Sequence, residues 1–270
     1  MMTKLKTIGL LGGLIYATAL PLYAADAGFQ TGLDSADRPT TDKERDAARK
    51  PAQVIEFLGI ESGMTVIDVI AGCGFYTEVL SAAVGPNGKV VSQNTRFMLN
   101  LREGRLSKEM KTRIDRLSNI ELLVAEVNEM DAGEDAEKTE LPVDLGTINY
   151  SLNSYAGQID VAITALNLHD IYINSGSEGA TYFLKNVYKV LKPGGVFGVI
   201  DHAGNSDQDN NALHRMDPAI AKQLATEAGF EIDAESDLLN NPNDDRTLHV
   251  RDESLERNTD RFLLRLKKPA

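Results

Sequence analysis

The chain has 270 residues, 42% of them hydrophobic, which is enough to bury one sizeable core and argues for one domain rather than two. Its formal net charge of -12 repels phosphate backbones and anionic lipid surfaces, so nucleic acid is not expected as a partner. Cys73 is the only cysteine, which excludes an intrachain disulfide and a cysteine-built metal site.

The N-terminus has the layout of a secretory signal peptide. Lys4 and Lys6 are followed by an uncharged run from Thr7 to Leu22 and then by small residues. Ala25-Asp26-Ala27 and Leu22-Tyr23-Ala24 are the two candidate cleavage sites. The apolar run is shorter than the roughly 20 residues a membrane span needs, so no stable membrane insertion is expected after cleavage. These features predict a signal peptide over 1–27, a domain over 28–270 and a periplasmic or secreted location.

Residues 28–40 read as a polar, mobile lead-in. From Asp42 to Leu58 apolar residues recur at helical spacing, with a kink or restart at Pro51 and a stop at Gly59. Met64–Ile70 is rich in β-branched residues and reads as a buried strand. A helix over 76–84, a turn at Gly85–Gly88 and a strand over 89–94 follow. Two helical segments fill 96–117, whose Arg and Lys residues read as a solvated face. Further strands are expected over 120–125, 159–166 and 196–200, with a helix over 182–191 stopped by Lys192-Pro-Gly-Gly195. Residues 127–157 carry no pattern that places an element. Asp217-Pro218 caps and starts a last helix that ends at Gly229. The strands over 230–234 and 261–267 have no helix between them and should pair as an antiparallel hairpin. The alternation predicts a mostly parallel sheet of seven strands with helices on both faces.

In such a sheet a ligand sits at the carboxyl ends of the strands. The first strand ends in Asp68-Val-Ile-Ala-Gly72-Cys-Gly74, where glycines allow a sharp turn and a close backbone approach. A dinucleotide fingerprint would need a third glycine where Thr77 stands, so a nicotinamide-linked oxidoreductase is a lesser alternative. Asp68 followed by Gly72-x-Gly74, between strand and helix, resembles motif I of class I S-adenosylmethionine (SAM) dependent methyltransferases. Arg49-Lys-Pro51, Gly63-Met64, Tyr76–Leu80, Leu166-Asn-Leu-His-Asp170, Leu191–Gly195, Ile200-Asp-His202, Glu235–Asn240 and Asp260-Arg-Phe262 extend the likeness. As a set, over about 35–269, they are similar to a little-characterised bacterial group of predicted methyltransferases with signal sequences.

The resemblance implies a Rossmann-like class I methyltransferase fold, SAM as cofactor and a small-molecule acceptor it does not identify. It places Ala71, Gly72 and Gly74 beneath the methionine part of SAM, with Asp68 orienting the loop or the amino group. Tyr76 and Asn167 are expected in the same site. The acid that such enzymes use to grip the ribose falls on Gln93 or Asn94, an amide, and the first loop glycine falls on Ile70. Glu126 sits where an acid commonly meets the adenine amino group.

Methyl transfer needs an aligned acceptor and, in many cases, a base. His169 with Asp170 follows the fourth strand and His202 with Asp201 ends the fifth; these are the candidate catalytic pairs, with either histidine as base. His214-Arg215 and Asp244–Arg246 are candidates for a lid over the site, or else for a structural turn or salt bridge. The two pairs could also ligate a metal, but no close pair such as H-x-x-x-H appears and none is expected. Export sets the chain apart from the cytoplasmic source of SAM, so a non-catalytic binding protein of the cell envelope is the main alternative.

Overall fold

The computed structural model describes residues 27–125 and 141–270. The signal-peptide expectation therefore lies almost entirely outside the described residues, and so does Glu126.

The elements are α1 (Ala27–Asp34), α2 (Thr40–Arg49), α3 (Pro51–Leu58), β1 (Thr65–Asp68), α4 (Phe75–Val84), β2 (Lys89–Asn94), α5 (Arg96–Ile114), β3 (Ile120–Val124), β4 (Ile148–Asn149), β5 (Ile159–Ala165), α6 (Leu168–Val190), β6 (Leu191–His202), α7 (Asn210–Leu213), α8 (Pro218–Glu227), β7 (Glu231–Ser236) and β8 (Arg261–Lys267). One sheet runs β4-β3-β2-β1-β5-β6-β8-β7. It is parallel from β4 to β6, and β8 lies antiparallel between β6 and β7.

Adjacent residues of the central strands point into two different cores, which is why these strands read as continuous apolar runs. Ile67, Val91, Ala162, Val199 and Leu264 enter a core shared with Phe183, Leu184 and Leu224 of α6 and α8. Their neighbours Val66, Val90, Ile163, Ile200 and Leu263 enter the opposite core, against Val54 and Leu58 of α3 and Val79 and Leu80 of α4. Helices thus cover both faces, and the loops at the strand ends are left to carry chemistry.

Most expected breaks have a visible cause. Lys50, in the left-handed region at φ 43, separates α2 from α3 just before Pro51, and Gly59 (φ 70) ends α3. Arg102, Glu103 and Gly104 all take positive φ and split α5 into the two segments foreseen. The Asp217 carboxylate accepts from Ala219 N and caps α8.

Four expectations are corrected. Residues 28–40 are not a loose lead-in: α1 buries Phe29 and Leu33 against α4, and Gly32 allows the two helices to touch at Ala82. An eighth strand, β4, falls in the stretch left unassigned; two residues are too few to show a period. Helix α6 begins at Leu168, well before 182, with a break at Gly176 (φ 64). Lys192–Gly195 does not separate helix from strand, because β6 already starts at Leu191 and absorbs these residues at an irregularity opposite β5.

Candidate functional site

The site begins where β1 ends. Ile70 (φ 55), Gly72 (φ 60) and Gly74 (φ 86) all take left-handed backbone, so the chain reverses tightly before α4. Ile70 holds the conformation of the absent glycine despite its branched side chain, a strain of order 1–3 kcal/mol that the surroundings must offset. Leu166, at the end of neighbouring β5, is a second such residue (φ 64). Two of the nine non-glycine residues with positive φ among the described residues thus lie at adjacent strand tips.

The bracing of the loop is explicit. Gln93 accepts from Ile70 N (2.7 Å) and donates to Ala125 O (2.7 Å). Asn94 accepts from Gly72 N (2.8 Å) and donates to Gly72 O (3.3 Å). Both side chains, expected to meet a ribose, are buried and spent on the protein's own backbone. Asn167 donates to Ile70 O (3.3 Å) and to Thr164 Oγ1 (2.9 Å), tying β5 to the loop.

The two glycines differ. A side chain at Gly72 would meet no atom within 4 Å, so the loop opens onto free space there. Gly74 is closed: a Cβ would lie 2.9 Å from Arg113 Cδ, and the Arg113 Nε donates to Gly74 O (2.9 Å). Gly72 is therefore the open one of the two and Gly74 a packing point against α5. Ala71 is half-buried beside Gly72, and its N–H donates to Gln93 O (2.9 Å).

Asp68 lies below the loop. Its carboxylate accepts from Thr77 Oγ1 (2.7 Å), which also meets Ser92 Oγ (3.0 Å). Thr77, where a third glycine was missing, thus serves as the partner of Asp68. Burial pushes the Asp68 carboxyl up to about 6, with Thr77, Arg49 and Arg113 pulling against it. Protonation is then favoured in the folded state, so stability falls as pH rises from about 4 through about 6. The fall from 3.8 to about 6 is worth roughly 3 kcal/mol at about 1.4 per unit. Asp68→Asn should flatten the wild-type decline in denaturation midpoint between pH 4 and 7. Parallel pH profiles for the two proteins would contradict this.

Tyr76 is buried rather than facing a ligand. Its ring is edge-on to Phe75 (5.1 Å), Arg49 lies 6.0 Å above it, and burial pushes its hydroxyl up to about 12. Burial, followed by the nearby Arg49, lowers Arg261 to about 10.

A second cluster of polar side chains lies at the tips of β5 and β6. All four histidines of the chain converge there from separate segments. His169 lies 5.1 Å from His202 and 4.8 Å from His214, and His214 stacks on His249 at 5.5 Å, centroid to centroid. Asp201, fully buried, accepts from His169 N (2.7 Å) and His202 N (2.8 Å) and pairs with His169 Nδ1 (2.6 Å). Burial opposes charge on His169, but Asp201 outweighs it and the imidazole is raised above its ordinary value. His202 goes the other way: burial lowers it to about 3, and its Nδ1 meets Thr259 Oγ1 at 2.6 Å. His202 is thus a neutral brace, whereas His169 is an oriented imidazole whose Nε2 faces Asp170 (3.6 Å).

Spacing along the chain could not show that His214 and His249 join this row. Of the two readings open for Arg215 and Asp244, the salt bridge holds: they form a fully buried bidentate ion pair (2.9 and 3.0 Å). It staples the segment carrying His214 to the loop before His249. Two surface hollows, about 290 Å³ along α6 and about 310 Å³ between α1 and α4, lie away from both loop and row.

A parallel sheet with an antiparallel β6-β8-β7 edge, and a glycine loop at the tip of β1, define the class I methyltransferase fold. Comparison with known proteins agrees. Residues 35–126 match the family described as Protein-L-isoaspartate(D-aspartate) O-methyltransferase. The chain is 28% identical over 145 residues to the demethylmenaquinone methyltransferase of Lactococcus lactis, covering 53% of this chain and 44% of that relative, so it spans less than half the relative's length. A SAM-dependent methyltransferase from Aquifex aeolicus superposes with a TM-score of 0.54 at 19% identity, over 85% of this chain and 97% of that one. A Burkholderia thailandensis 1,6-didemethyltoxoflavin-N1-methyltransferase, solved with bound 1,6-didemethyltoxoflavin and S-adenosylhomocysteine, gives 0.51 at 14% identity over 86% and 82%. The cyclase SpnF gives 0.54 at 15% identity over 88% and 85%. In fold and in loop the chain resembles the SAM-dependent class I methyltransferases.

Proposed function

We propose that the chain is an exported SAM-dependent methyltransferase acting on a small molecule. The observation that carries this reading is the strained loop at the tip of β1, braced from beneath and, of its two glycines, open to space at Gly72. That opening fits the methionine end of the cofactor, which when bound supplies an electrophilic methyl group. Asp68, Gln93, Asn94 and Asn167 hold the loop in shape. Glu126 remains the proposed partner of the adenine amino group. The acceptor sits against the histidine row. His169, fixed by Asp201, directs Nε2 to where an acceptor proton must leave, and Asp170 flanks it. His202 holds the row in place. A crystal soaked with S-adenosylhomocysteine tests the arrangement: its homocysteine part should lie over Gly72 with the vacant methyl direction at sulfur toward His169. Density elsewhere, or none, contradicts it.

For export, cleavage is proposed after Ala24 or after Ala27, both just ahead of the body of α1. The mass of the chain recovered from the envelope fraction decides between them.

One observation favours a second reading, a non-catalytic binder. The Asn94 amide, engaged with Gly72, leaves β2 without the acid that grips a ribose.

A further inference from the structure

We propose that His169, Asp170 and His214 form a binding site for a divalent transition-metal ion of the zinc type, on the acceptor side of the histidine row. This deepens the methyltransferase reading by giving the acceptor a cation to bind, but the site itself stands on geometry that does not involve SAM.

The three donor atoms already converge. Asp170 Oδ1 lies 2.8 Å from His214 Nε2 and 3.6 Å from His169 Nε2, and all three lie within 4.8 Å of one another. Ligands bound to one zinc at roughly 2.1 Å stand about 3–3.5 Å apart, so small side-chain rotations close the triangle. Two imidazoles and one carboxylate suit a borderline ion better than a hard one such as magnesium. Three protein ligands leave a position open, as in catalytic rather than structural sites.

The supporting residues are those a metal-bound imidazole requires. Asp201 takes up His169 Nδ1 and is itself fixed by two backbone N–H groups, so Nε2 is left facing Asp170. A buried carboxylate behind a ligating histidine sets both its tautomer and its direction. His214 is held by the left-handed backbone that ends α7 (φ 60) and by the adjacent Arg215–Asp244 pair. His249 stacks on it, with its Nδ1 accepting from Arg251 N (3.0 Å). Arg251 acts on both His169 and His214 and opposes an isolated dication. An acceptor bringing an anionic oxygen or sulfur to the open position offsets that charge. A bound cation would lower the pKa of an acceptor hydroxyl or thiol so that it ionises with loss of its proton to solvent, and His169 Nε2 would then serve as a ligand in place of the base proposed above.

The full chain, freed of metal with a chelator, should bind about one equivalent of Zn²⁺ by calorimetry without any SAM present. Co²⁺ should give the visible bands of a low-coordinate site. His214→Ala, a partly exposed change, should weaken Zn²⁺ at least tenfold while the far-ultraviolet spectrum is unchanged. Asp201→Asn should weaken it by about 10–100-fold through loss of the orienting bond. Failure to bind Zn²⁺, or binding unaltered in a His214→Ala, Asp170→Asn double variant, overturns the site. S-adenosylhomocysteine affinity of the same metal-free chain is read separately, so a missing metal and a missing cofactor site are told apart.

Discussion

Gly72→Leu should reduce S-adenosylhomocysteine affinity at least a hundredfold, about 2.7 kcal/mol, while the chain remains folded. The left-handed backbone at Gly72 makes any side chain cost about 1–2 kcal/mol, which a domain of this size can bear. No protein atom lies within 4 Å of the new Cβ, so the leucine extends into the space assigned to the cofactor. Gly72→Ala carries the same backbone strain with far less volume and separates the two effects. It should lose stability like the leucine variant but keep much more affinity. Equal affinity in wild type and Gly72→Leu would place the ligand elsewhere.

The second large effect concerns stability. Asp244→Ala should destabilise the fold by about 3–5 kcal/mol, measured by urea denaturation. Arg215 is fully buried, and its guanidinium is neutralised by Asp244 while donating to Ala203 O and Leu248 O. Removing the carboxylate strands that charge and also deprives Asp260 N of its acceptor (2.7 Å). Restoring neutrality with Arg215→Met in the Asp244→Ala background should recover part of the loss, because an apolar pair avoids the buried charge. Additive losses, or a single-variant cost below about 1 kcal/mol, would show that the pair is not the staple described. The affinity for Zn²⁺ should fall in Asp244→Ala as well, since His214 sits next to Arg215.

The sheet was legible because its central strands are buried on both faces and therefore read as short apolar runs between turn residues. The edge strand Ile148–Asn149 was not, since two half-buried residues carry no periodicity. The start of α6 was hidden because Leu168–Ser175 follows the Leu166 turn directly, and Gly176 and Gly179 broke the helical pattern. At the site, the loop position was readable from Asp68, Gly72 and Gly74, but the partners of those residues were not. Asn94 and Tyr76 looked free to meet a ligand, and only the fold shows one bonded to Gly72 and the other buried between Phe75 and Arg49. His214 and His249 stand 45 and 80 residues beyond His169 in sequence, and tertiary contacts alone bring them together. A salt bridge was among the readings open for Arg215 and Asp244, but the sequence could not show that they pair with each other or that the pair is buried.

The most direct measurement is calorimetric titration of the unmodified chain with S-adenosylhomocysteine. Saturable binding of one equivalent, lost in Gly72→Leu, is the result expected if the backbone beyond Asp68 cradles a sulfur nucleoside. Absence of heat at millimolar ligand, with the chain folded, would contradict the cofactor assignment and leave a methyltransferase scaffold put to another use.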